Sequence, residues 1–163
     1  MVWLSLAIAW ILLAAPGMAA DRQKGEGDGK DHSHGKYIAI ISGCNDCHTP
    51  GYSESGGTTP SEDWLTGDRV GWKGPWGTTY PTNLRIYMSD ITEENWLKKS
   101  RQLRTRPPMP WWALRTLKDG DAVALYWFIR SLGRKGQIAP THLPPDQEPR
   151  TPFILFVPQP PRK

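Results

Sequence analysis

Cys44-Asn45-Asp46-Cys47-His48 is the stretch on which the reading of this chain turns. It sets the chain's two cysteines two residues apart and places an imidazole directly after the second. Ahead of it, Tyr37, Ile38, Ile40 and Ile41 fit a short amphipathic helix running into Gly43 and Cys44. Behind it, residues 51–88 hold seven glycines and no helical period. A structureless stretch of that length is uncommon in a small domain unless it is functional or wraps round something. Further on, Thr92 is placed to cap a helix that carries Glu93 and Glu94 in its first turn and continues through Trp96 and Leu97 to about residue 103. Arg106-Pro107-Pro108-Met109-Pro110 cannot be helical, because three prolines remove backbone donors and fix φ. It is a stiff presenter of Met109. A last helix is expected over residues 119–132, with Ala122, Leu125, Phe128, Ile129 and Leu132 on one face and Gly133 placed to end it. There is no internal repeat.

The ends of the chain bear on compartment. Residues 2–15 form a mostly apolar run closed by Pro16 and Gly17, with Ala19 and Ala20 beyond, which has the shape of a secretory signal over residues 1–20. No Lys or Arg precedes the run, so an uncleaved anchor stands beside cleavage. The run falls short of the roughly 20 residues that a spanning helix needs, which favours cleavage. Residues 21–31 lack any large apolar side chain and read as a flexible linker. Residues 134–163 carry eight prolines and read as an extended tail. Within it, the apolar run Phe153-Ile154-Leu155-Phe156-Val157 is expected to fold back over the domain or to dock on a partner subunit. The formal charge of +4 is carried by Lys and Arg that run from Arg22 to Lys163 without a dense block. Nucleic-acid binding wants a clustered stripe. A modest positive balance suits steering toward an acidic partner protein.

The pentapeptide is where the chemistry sits. In C-x-x-C-H two thiols can add to the vinyl groups of a haem while the adjacent imidazole reaches the iron from the same turn. A redox-active C-x-x-C of thioredoxin type needs a strand-helix context and leaves His48 without a task. Zinc wants four ligands, so His32, His34 or His142 would have to complete a site. A plain disulfide would close a very tight loop. On the haem reading the second axial ligand is sought among Met88 and Met109, the methionines left once Met1 and Met18 leave with the signal. Methionine is also an ordinary core filler. The stiff loop favours Met109, since thioether ligation suits electron-transfer haems, and holds Met88 in reserve.

Gly43-Cys44-Asn45-Asp46-Cys47-His48-Thr49-Pro50, Trp64-Leu65-Thr66-Gly67, Pro81-Thr82-Asn83-Leu84, Pro108-Met109-Pro110-Trp111 and the closing residues 124–132 together resemble the class I mono-haem cytochromes c. The similarity is closer to the cytochrome modules attached to periplasmic and membrane dehydrogenases, and it covers residues 32–133. The resemblance implies an all-α cytochrome c fold of three to four helices with long haem-wrapping loops, the first and last helices crossing. It implies one covalently held haem c, with Cys44 and Cys47 as thioethers, His48 as proximal and Met109 as distal iron ligand. Asn83 and the loop tryptophans would line the haem. Arg69, Lys73 and Arg85 could meet its propionates, although solvated surface charge is the stronger reading for each. Lys118, where a capping Ser is common, and the bulky Trp127 depart from the family pattern.

The function so implied is relay of single electrons between periplasmic redox proteins such as a dehydrogenase, an oxidase or a membrane electron-transport complex, with no enzymatic step of its own. Two other classes stay open: a haem enzyme or gas or peroxide sensor with a vacant sixth iron position, and a haem-free thiol or disulfide module. No Ser-His-Asp grouping, phosphate loop or paired catalytic carboxylates point to a hydrolase or kinase.

Overall fold

Helices form where the sequence carries an apolar stripe and a competent start. In the computed structural model, which describes residues 32–161, these are α1 (His32–Ile41), α2 (Cys44–His48), α3 (Leu84–Ser89), α4 (Glu93–Gln102), α5 (Trp111–Arg115) and α6 (Asp119–Ser131), with a single 3₁₀ turn at Ser61–Asp63. The leader expected over residues 1–20 and the linker over 21–31 lie outside the described residues. The Thr92 hydroxyl accepts from the Asn95 N–H at 3.2 Å and so starts α4, as its sequence predicts. α6 begins at Lys118 without a side-chain cap, and Asp119 and Asp121 supply the negative charge that its first turn favours. Gly133, at φ 71°, ends it.

The core lies where α1 packs on α6. Gly35 makes the approach possible, because a Cβ there would stand 2.1 Å from the Ala124 carbonyl oxygen. Ile38 and Ala39 of α1 meet Leu125, Phe128 and Ile129 of α6, and Trp64, Leu65, Met88 and Trp96 complete the cluster. Side-chain hydrogen bonds tie the rest of the chain to α6. The Trp96 indole N–H donates to the Ala122 carbonyl at 2.7 Å, and the Tyr126 hydroxyl donates to the Ile91 carbonyl at 2.9 Å. Trp127 is accommodated at the partly buried edge, its indole N–H donating to the Glu93 carboxylate.

An all-α fold is not what forms. Among the described residues three strands, β1 (Gly71–Gly74), β2 (Gly77–Thr79) and β3 (Phe153–Leu155), make a mixed sheet in the order β2-β1-β3, and six helices stand where three to four were expected. β1 and β2 are the arms of a hairpin across Pro75-Trp76, with Gly74 opposite Gly77. Gly77 is required twice over: its φ is 96°, and a Cβ would lie 2.0 Å from the Leu143 carbonyl oxygen. β3 adds in parallel, pairing Gly71, Trp72 and Lys73 with Phe153, Ile154 and Leu155. Strands of three and four residues are too short to show a period of two. Both the hairpin and the strand pairing of the tail were therefore hidden in what read as loop and Pro-rich tail.

The apolar run of the tail thus folds back. Its Phe156 ring packs against Trp72 and Trp76, with centroids 5.8 and 5.9 Å away, and the Phe156 N–H donates to the Lys73 carbonyl at 2.7 Å. The Tyr80 and Thr151 hydroxyls meet at 2.9 Å. Removing residues 150–163 strips these contacts from one side of β1. The truncated chain is expected to lose about 1–2 kcal/mol in urea unfolding, on the scale of a half-exposed aromatic ring plus a few backbone hydrogen bonds. An unchanged midpoint would contradict the contribution assigned to the tail.

Candidate cofactor site

The one-turn helix α2 presents Cys44, Cys47 and His48. Gly43, in the left-handed region at φ 66°, breaks the chain out of α1 so that the turn can start. Backbone and side-chain hydrogen bonds then hold the turn from below. The Thr49 hydroxyl donates to Asn45 Oδ1 at 2.7 Å and accepts from the Leu65 N–H at 2.8 Å. The Gly67 N–H donates to the His48 carbonyl at 2.8 Å. Leu65 sits at φ 60°, an uncommon conformation for a branched side chain, and its carbonyl accepts from the Leu84 and Arg85 N–H groups. The Trp64-Leu65-Thr66-Gly67 segment is therefore a clamp that joins α2 to the start of α3.

His48 is buried, and its Nδ1 lies 2.7 Å from the Thr82 carbonyl oxygen. A carbonyl only accepts, so Nδ1 carries the proton and Nε2 carries the free lone pair. Burial holds the imidazole pKa below its usual value, opposed by this hydrogen bond, so the ring is neutral. The two cysteines are free thiols, not a disulfide. Burial, and after it the Asp46 carboxylate, pushes the Cys44 thiol up to about 12 and raises Cys47 as well. A thiol activated for disulfide exchange sits in electropositive surroundings that lower its pKa. These surroundings do the reverse.

Cys44, Cys47 and His48 line a cavity of about 340 Å³, within the roughly 300–1,000 Å³ typical of ligand sites. Met109 and Met88 line the same cavity, together with Trp72, Tyr80, Trp96, Leu125 and Ile129. Met109 lies partly exposed between α4 and α5, whereas Met88 on α3 is 1% exposed and belongs to the core cluster. All five residues that the sequence proposed for haem thioethers and iron ligands are thus brought to one space. Its donors are two thiols, one neutral imidazole and two thioethers, and its walls are apolar. That set fits a haem.

Other expected site residues are placed elsewhere. Asn83 does not line the cavity. It caps α3, its Oδ1 accepting from the Ile86 N–H at 3.0 Å, while its Nδ2 donates to the Lys135 carbonyl at 2.8 Å and the Gln137 carbonyl at 3.1 Å. Arg85 is 5% exposed, neither a solvated charge nor a cavity residue. Its guanidinium donates to the Leu132 and Gly133 carbonyls at the end of α6 and, at 2.8 Å, to that of Glu62. Lys73 pairs with Glu148, and Arg69 is exposed. Of the loop tryptophans only Trp72 reaches the cavity; Trp64 is buried in the core and Trp76 lies against Phe156. His34 pairs with Asp121 at 2.8 Å, and His142 Nδ1 lies 3.0 Å from the Thr78 carbonyl. Among the described residues no three His, Cys, Asp or Glu side chains gather as a metal site. The Thr82 carbonyl was missed, because the role of a backbone oxygen is not written in its residue type.

Asn83→Ala removes a cap and the donor that ties the Lys135 and Gln137 carbonyls to the start of α3. It is expected to lower stability by about 1–2 kcal/mol in denaturant titration. Asn83→Asp, which keeps the cap acceptor but faces two carbonyls with a carboxylate, should do no better; wild-type stability in either variant would contradict this placement. Comparison of the chain with protein-family models, with curated proteins and with solved structures returns no match, so sequence and geometry alone carry the functional reading.

Proposed function

We propose that this chain is a c-type cytochrome that relays single electrons. Cys44 and Cys47 would hold one haem as thioethers, and His48 Nε2 and Met109 Sδ would bind its iron. The observation that carries the reading is His48 itself: its Nδ1 is committed to the Thr82 carbonyl, and it stands beside two free thiols in the wall of an apolar cavity that two methionines also line. A bound haem would supply a reversible one-electron iron couple.

The chain's own residues do the rest. Thr82 fixes the imidazole tautomer and, by accepting from Nδ1–H, raises the basicity of Nε2. Trp72, Trp96, Leu125 and Ile129 keep water from the cavity, and low polarity favours the less charged state of a redox centre. A neutral thioether from Met109 shifts the balance toward the reduced form compared with a second imidazole. With His48 and Met109 both committed to holding the group, no residue-free position would be left for a substrate, so the chain would work as a carrier for redox proteins, alone or as the cytochrome subunit of an oxidoreductase. The apolar leader supports export to the periplasm, where such partners reside.

Visible spectra of the chain, produced with a haem-attachment system and recorded oxidised and reduced, test the ligand set. The sulfur-to-iron charge-transfer band is expected in wild type, absent in Met109→Ala and retained in Met88→Leu. Carbon monoxide should bind the reduced Met109→Ala protein and leave wild type unchanged. Loss of the band in Met88→Leu alone would hand the ligand role to Met88. Carbon monoxide binding to wild type would favour a sensor or enzyme with an open position.

A further inference from the structure

Residues 95–118 carry seven Lys and Arg and no Asp or Glu. The chain as a whole has 20 cations and 16 acids, so everything outside this segment is net acidic, with 13 against 16. The cations are interleaved with other residues and form no run, which is why the segment does not read as a dense block. The fold gathers them. α5 packs on α4, and the guanidinium groups of Arg104 and Arg115 both lie over the Trp111 ring, 5.7 and 5.5 Å from its centroid. Arg101 donates to the Arg115 carbonyl at 3.2 Å and pairs with Asp119, the first acid beyond the segment. Two guanidinium groups thus share one indole, and a third, that of Arg101, is tied to the same helix through the Arg115 carbonyl and to a single carboxylate, Asp119. Lys98, Arg106 and Lys118 add exposed charge, and Trp112 beside them is 59% exposed. The same segment supplies Lys99, Met109 and Leu114 to the cavity wall.

We infer that this face, built from α4, the Met109 loop and α5, docks an acidic surface of a partner protein, with Trp112 as its apolar contact. Like charges brought together with one carboxylate, Asp119, to offset them raise the local potential, and an opposite surface would lower it. Guanidinium groups already held over an aromatic ring and by a backbone carbonyl are set for two-pronged pairing with carboxylates. Trp112 is the single exposed large apolar side chain in the segment. A helix lying in a lipid surface needs a whole apolar face, and single-stranded nucleic acid needs several stacking rings. The purpose of the face, to bring a redox partner to the Met109 wall, rests on the electron-carrier reading; the charge asymmetry does not.

Calorimetric titration of the haem-loaded chain with poly-L-glutamate tests the inference. It compares wild type, Lys98→Glu/Arg106→Glu on the face and Arg69→Glu/Arg150→Glu elsewhere, two pairs of exposed residues with the same change in net charge. At low salt the face variant is expected to bind about tenfold or more weakly than wild type and the control less than about threefold, with wild-type binding fading at an ionic strength of about 0.2 M. Lys98→Gln/Arg106→Gln, which removes charge without reversing it, serves should the reversal impair folding. Equal losses in the two pairs would overturn the inference. So would tighter binding to phosphatidylserine–phosphatidylcholine vesicles, abolished by Trp112→Ala, which would assign the face to a membrane. The haem spectrum of the same samples separates the two claims. Binding without haem uptake rejects the electron carrier and keeps the face, and haem uptake without a preference for the face rejects the face alone.

Discussion

The hydrogen bond from His48 Nδ1 to the Thr82 carbonyl joins the two halves of the site, and much of the fold serves to keep its ends in place. On the imidazole side, Gly43 turns the chain into α2, and the Thr49 hydroxyl and the Gly67 N–H hold the turn from beneath. On the carbonyl side, Pro81 accepts from the Asp68 N–H, and Asn83 is fixed by the tail carbonyls of Lys135 and Gln137. Gly67 has to be glycine for the two sides to meet, since a Cβ there would lie 2.7 Å from the Asn83 nitrogen. The residues just after α6 thereby act on the site at one remove, by holding the neighbour of the carbonyl that orients the imidazole.

Burial decides the protonation of the donors. The cavity favours the neutral imidazole and the protonated thiols, a state unsuited to thiolate chemistry. Arg85, which lies close to the site in sequence, is turned toward the carbonyl end of α6, where its positive charge meets the negative end of the helix dipole. The surface charge collects on the side of the Met109 loop.

What the sequence made legible was local structure written in residue type and spacing. The C-x-x-C-H turn, the Thr92 cap, the glycine after α6 and the proline-bound Met109 could each be read locally, because each depends on a handful of adjacent residues. What stayed hidden depends on partners far along the chain. The β1–β2 hairpin is confirmed as structure only by its ladder, and β3 pairs with residues some eighty positions earlier. Asn83 and Arg85 looked like cofactor contacts because polar residues near a site invite that reading, yet both are spent on backbone carbonyls of the chain after α6. The cationic face was missed for a related reason: its charges are interleaved in sequence and gathered only where α5 packs on α4.

The claim on which the account rests is that Cys44 and Cys47 attach a haem, and intact-protein mass spectrometry of the chain co-produced with a haem-attachment system tests it most directly. The account predicts a mass gain of one haem, located by peptide fragmentation to Cys44–His48, with both cysteines resistant to alkylation after denaturation and no gain in the Cys44→Ser/Cys47→Ser double variant. An unmodified mass with both thiols open to alkylation would contradict it.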